Sequence, residues 1–169
     1  MQAMFNKAKV KSWIRKTHKR QSFGFGHGCI TDGSVLLVEE QHMCPTILEL
    51  FETLTPACEY SAQQFQELMR LPNEPVAMFD SELEYVSDPK TRLRIFYDPT
   101  TGEKLAIRGE YFDLLDDPRG LRFFTNNEMS VLWIMCDNDD IIGAIAPVRL
   151  QDQLSHMSFN VEREEEEGA

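Results

Sequence analysis

Two short motifs place a histidine and a cysteine two residues apart: His27-Gly-Cys29 and His42-Met-Cys44. In extended backbone, residues i and i+2 point to the same side, so each motif offers a nitrogen and a sulfur together. The four could complete a tetrahedral zinc site. The spacing weighs against it. If Asp32-Gly33 is a hairpin turn, Cys29 lies opposite about residue 36, and His42 and Cys44 run past the end of the pairing. Satisfied histidines and core cysteines are the preferred reading, and no metal or other cofactor is expected. Cys29, Cys44, Cys58 and Cys136 form no C-x-x-C pair and read as reduced thiols in a cytoplasmic chain.

The other chemistry-bearing patterns are weaker. Gly24, Gly26 and Gly28 alternate in GFGHG, whereas a dinucleotide loop needs G-x-G-x-x-G opening a helix. Alternating glycines leave one strand face without side chains, which points to close packing by a neighbouring element. His18 sits in a basic segment and His156 near the C-terminus, and no serine or cysteine stands in a nucleophile elbow, so no enzyme is expected. Asp137, Asp139 and Asp140 lack the glycine and closing glutamate of a calcium loop, with Ile142 at the sixth place, and read as turn residues. Asp113, Asp116 and Asp117 likewise sit at a helix end.

Charge is the stronger signal. The 169 residues hold 28 acidic and 17 basic side chains, a formal net charge of −11. Bulk coating of nucleic acid is therefore excluded. The average hides a division. Lys7, Lys9, Lys11, Arg15, Lys16, Lys19 and Arg20 give residues 1–20 a charge of +7 with no acid, leaving 10 basic and 28 acidic residues, or −18, for the rest. On a helix, Lys7, Lys11 and Arg15 form one row and Lys9, Lys16 and Arg20 a second, so a phosphate backbone could meet several cations at once. At the other end Glu162 and Glu164 to Glu167 form an acidic tail, and residues 159–169 read as disordered.

These residues need elements to hold them. Residues 2 to about 19 read as a helix, although Met1, Met4, Phe5 and Ala8 share one face while Val10, Trp13 and Ile14 lie on another, which implies a bend or burial on two sides. CITDGSVLLVEE reads as two strands around Asp32-Gly33. Helices follow at Thr46 to Leu54, with Ile47, Leu50, Phe51 and Leu54 on one stripe, and at Ser61 to Leu71, capped by Ser61. PVAMF, ELEYV, RLRIFYD and EKLAIRG read as four strands, the last two joined by DPTTGE; EYFDLLDD is a short helix. GLRFFT, SVLWIM and IIGAIAPVRL complete the set, the last pair joined by CDNDD. The order predicts a single α+β domain over 1–158, with a mainly antiparallel sheet and helices on one face. The chain has no run of about 18 apolar residues and no apolar signal-peptide core, so a cytoplasmic protein without membrane contact is expected.

The C-terminal third, from LAIRGEYFDLLDD to IIGAIAPVRL, resembles the end of a bacterial β sliding clamp, the processivity ring of replicative polymerases. That family closes with a strand, a short helix, further strands and a terminal P-x-R-L. Here Gly109-Glu-Tyr111-Phe112 stands at the helix, Val131 to Met135 at the penultimate strand, and Ala146-Pro147-Val148-Arg149-Leu150 at the closing segment. Ile30 to Val38 is similar to the family's T-D-G strand pair. The chain departs from the pattern in having residues for one domain, a leading basic helix and 19 residues after Leu150. The resemblance implies a clamp-like fold, a non-enzymatic role on DNA or replication proteins in a phage or mobile-element setting, and a possible homo-oligomer. It assigns Pro147, Val148, Arg149 and Leu150 to an apolar peptide pocket. Two alternatives stand beside it: an acidic DNA-mimic inhibitor or adaptor that binds a nucleic-acid-processing protein, and a small zinc-stabilised protein using His27, Cys29, His42 and Cys44.

Overall fold

The computed structural model describes residues 5–26, 28–38, 61–88 and 91–148. Its first helix, α1 (Lys7–Thr17), begins where the Asn6 side chain accepts the Lys9 N–H at 3.1 Å. A short polar side chain at that position satisfies one of the donors a helix start leaves open. Phe5 therefore lies before the helix rather than in it, bridged to Leu115. This resolves the mismatch of apolar faces in the sequence. With Phe5 outside and Ala8 exposed, the buried stripe is Val10, Trp13, Ile14 and Thr17, and it needs no bend.

Nine strands form one sheet: β1 (Gly24–Gly26), β2 (Cys29–Thr31), β3 (Val35–Val38), β4 (Val76–Asp88), β5 (Thr91–Tyr97), β6 (Lys104–Arg108), β7 (Arg122–Thr125), β8 (Leu132–Met135) and β9 (Ile141–Ile145). Their order is β1-β2-β3-β9-β8-β7-β4-β5-β6, and every adjacent pair is antiparallel. The mixed class with a large antiparallel sheet is thus as expected. Between strands lie α2 (Ala62–Leu68), α3 (Gly109–Phe112) and a 3-10 turn at Pro118–Gly120. Ser61 caps α2 in a capping box with Gln64, as the sequence indicates. The helix expected at Thr46 to Leu54 and the tail at 159–169 lie outside the described residues.

Three expectations change. The glycine alternation does not mark close packing at Gly26, where an added Cβ would meet nothing within 4 Å; φ is +140° there and +79° at Gly28. Those two glycines serve the backbone of the β1–β2 turn, which L side chains rarely follow. PVAMF and ELEYV are one strand, β4, broken in register between Asp80 and Glu84. There the Ser81 hydroxyl donates to Ile95 O at 2.6 Å and Glu82 takes φ +61°, a bulge rather than a turn. Finally, helices pack on both faces. Ile30, Leu37, Gly143, Ile134, Phe123 and Met78 are successive register partners, and this row joins α1 and α3 in the main core. The alternate row, Leu36, Ala144 and Trp133, lies on the other side, where Phe65 of α2 packs on Cys29, Leu36 and Val38.

The sheet also curls. Five strand spacings separate β9 from β6, about 24 Å in a flat sheet, whereas three residues of chain reach only about 10 Å. Yet Val148, three residues past β9, donates its N–H to Ala106 O in β6 at 2.9 Å. The far edge is thereby brought back over the end of β9, and Val148 packs against Leu93, Ile95 and Ala106.

Candidate nucleic-acid interface

The apolar stripe of α1 fixes which way its charges point. Val10, Trp13 and Ile14 enter the main core, and Thr17 is buried with its hydroxyl on Trp13 O at 2.8 Å. Lys7, Lys9, Arg15, Lys16, Lys19 and Arg20 are exposed, and Lys11 is half-buried. All seven cations of the sequence segment thus lie on the solvent arc of one anchored helix or just past its end. Its first turn holds no acid. Among the described residues, Arg20 is the one of these seven within ion-pair distance of a carboxylate, 3.6 Å from Asp32. Among the described residues, the other six cations of the segment meet no carboxylate.

Asp32 supports this helix from below. It is 3% exposed. Its Oδ2 accepts the Trp13 indole N–H at 3.0 Å, and its Oδ1 accepts the N–H groups of Ser34 and Val35 at 2.9 and 3.1 Å. A buried carboxylate requires such partners. The T-D-G turn is thus the pedestal on which α1 is oriented. Beside it stands Tyr111 of α3, where burial, with the charge of Asp32 adding, raises the phenol above the ordinary range.

Between α1 and α3 opens a pocket of about 230 Å³. Lys9, Lys16 and Arg20 line one side, and Arg92, Glu110 and Asp113 the other. Arg92 bridges Asp113 at 2.5 Å and Glu84 at 3.3 Å, and the bond to Asp113 above all raises its guanidinium pKa. A second groove of about 570 Å³ runs along β4, β5 and β7, where Phe79 is 52% exposed. Arg94 lies in it, bound at 2.7 Å to both oxygens of Asp80 and stacked 4.4 Å from the Phe112 ring.

The remaining candidate residues are dispersed. Cys29 is buried and donates its thiol to Met69 Sδ at 3.5 Å, while His27, His42 and Cys44 lie outside the described residues. Among the described residues no cluster of three metal-ligating side chains occurs. Pro147 and Val148 are half-buried, with Val148 bound to β6, and Arg149 and Leu150 lie outside the described residues. Asp137, Asp139 and Asp140 form the exposed β8–β9 turn, in which Asp139 pairs with Arg122. His18 holds its Nδ1 3.1 Å from Ile14 O. Sequence reasoning missed Trp13, Asp32, Arg92 and Tyr111 as one group, because they come from four separate segments. The signal available was local: an aspartate before Gly33 that could bond its own turn.

No family model, curated protein or solved structure matches this chain. No helix among the described residues is long and apolar enough to cross a membrane.

Proposed function

We propose that this is a non-enzymatic, clamp-like protein that acts on DNA, or on the proteins that replicate it, through α1. One observation carries the reading: five cations lie on the solvent side of a helix, with Lys19 and Arg20 just past its end, and the helix's opposite face is anchored by Val10, Trp13, Ile14 and the Trp13–Asp32 bond. A phosphate backbone neutralised by such a row releases its counterions, which gives affinity without reading bases. The acidic remainder of the chain restricts contact to this one surface. The segments that resemble a sliding clamp support the reading in part. Ile30 to Val38 folds as a strand pair, Gly109 to Phe112 as a short helix, and the three strands after it, β7, β8 and β9, pair in succession.

Electrophoretic mobility shift on duplex DNA at 50 and 200 mM salt tests the proposal. Binding should weaken steeply between the two conditions, and Lys7→Glu, Lys11→Glu and Arg15→Glu together should abolish it at both. None of the three side chains has a partner among the described residues, so the fold should survive their replacement. Salt-independent binding, or undiminished binding by the triple variant, would overturn the reading.

A further inference from the structure

The flank of α1 carrying Lys9 and Lys16, with Arg20 just past the helix end, lines the pocket that α3 lines from the other side. The lining holds four cations, Lys9, Lys16, Arg20 and Arg92, against three carboxylates, Asp32, Glu110 and Asp113, an excess of one positive charge. Each carboxylate there already has a partner: Asp32 holds the Trp13 indole and two backbone N–H groups, Asp113 binds Arg92 at 2.5 Å, and Glu110 faces Arg108 at 3.5 Å. On the basic side, Lys9 and Lys16 have no side-chain partner among the described residues, and Arg20 reaches Asp32 only at 3.6 Å. Ammonium groups lining one wall without counter-charge repel each other, and an anion in the pocket relieves that repulsion. Donors outnumber free acceptors on this wall, and the Ser12 hydroxyl adds one more.

The ligand that fits is a tetrahedral oxyanion. Several acceptor oxygens on one centre match donors arriving from one side, and bonds between charged partners are the strong ones. A water occupies roughly 30 Å³ of liquid, so about 230 Å³ leaves room for such an anion with part of its hydration shell. We propose that the pocket between α1 and α3 is a phosphate-binding site, with Lys9 and Lys16 as its direct ligands and Arg20 at its rim. In naming a DNA backbone phosphate as occupant the inference rests on the DNA reading; a free phosphate shares the same chemistry.

Trp13 lines the pocket and reports on it, whereas Trp133 lies on the opposite sheet face with its indole N–H on Leu68 O. Intrinsic fluorescence of the full chain is titrated with inorganic phosphate, and separately with a duplex carrying 5′-hydroxyl ends. A saturable change with phosphate, about tenfold weaker in Lys9→Gln/Lys16→Gln and retained in Lys9→Arg/Lys16→Arg, is expected. If the duplex gives the same change and phosphate displaces it, the occupant is a backbone phosphate. If phosphate perturbs Trp13 and the duplex does not bind, the site stands and the DNA reading fails. If the duplex binds with salt sensitivity while neither ligand perturbs Trp13, or the Gln variant responds like wild type, the phosphate site is overturned and the DNA reading remains.

Discussion

Asp32 shows how much a single side chain can decide. Its carboxylate shapes the β2–β3 turn through the Ser34 and Val35 N–H groups and orients α1 through Trp13. Removing it leaves three donors unpaired in a buried setting, and Asp32→Ala should cost about 3 kcal/mol of stability in urea unfolding. Asp32→Asn, which keeps an acceptor for the turn, should cost less; equal stability of the alanine variant and wild type would sink this account. The same residue explains where sequence reasoning slipped. A two-residue turn at Asp32-Gly33 would set Cys29 opposite residue 36, but Cys29 pairs with Val38. The side chain widens the turn by taking backbone donors that a tight hairpin would bond across the strands. Residue type revealed the turn; only the carboxylate's bonds revealed its size.

At the scale of elements, periodicity and caps were legible where they are local. Ser61 announces α2, DPTTGE gives the β5–β6 turn, and the stripe Val10, Trp13, Ile14 gives the buried face of α1. Joints set by contacts between elements were not. The start of α1 depends on Phe5 pairing with Leu115, and the unity of β4 on Ser81 bonding Ile95, both between segments far apart in sequence. β9 carries a further such constraint. At Gly143 an added Cβ would lie 2.8 Å from Leu36 O, a backbone atom of β3 that cannot swing aside. Gly143→Ala must push β3 and β9 apart at the centre of the sheet, and should lower stability by about 2 kcal/mol. Thermal unfolding of the variant beside Ala144→Gly, which alters β9 without adding an atom, separates this backbone clash from a general effect of altering β9.

For the whole molecule, strand alternation conveys the antiparallel class, but strand order depends on pairings such as β3 with β9 and β4 with β7 that local patterns cannot encode. The charge map was legible in the same partial way. The division into +7 and −18 is in the sequence, and the buried stripe of α1 turns it into a solvent-facing surface. What keeps that surface in place is the curl of the sheet, since one core holds α1, α3 and strands from both halves of the strand order. The Val148–Ala106 bond fastens the curl at its open end. Val148→Pro deletes that donor while keeping an apolar side chain, and should cost about 1 kcal/mol. Because the loss falls at one edge, native-state amide exchange should quicken in β5 and β6 and stay unchanged in β2 and β3. Uniform acceleration would mean that the variant destabilises the whole fold rather than its closure, and unchanged exchange in β6 would mean that the curl is held by the core alone.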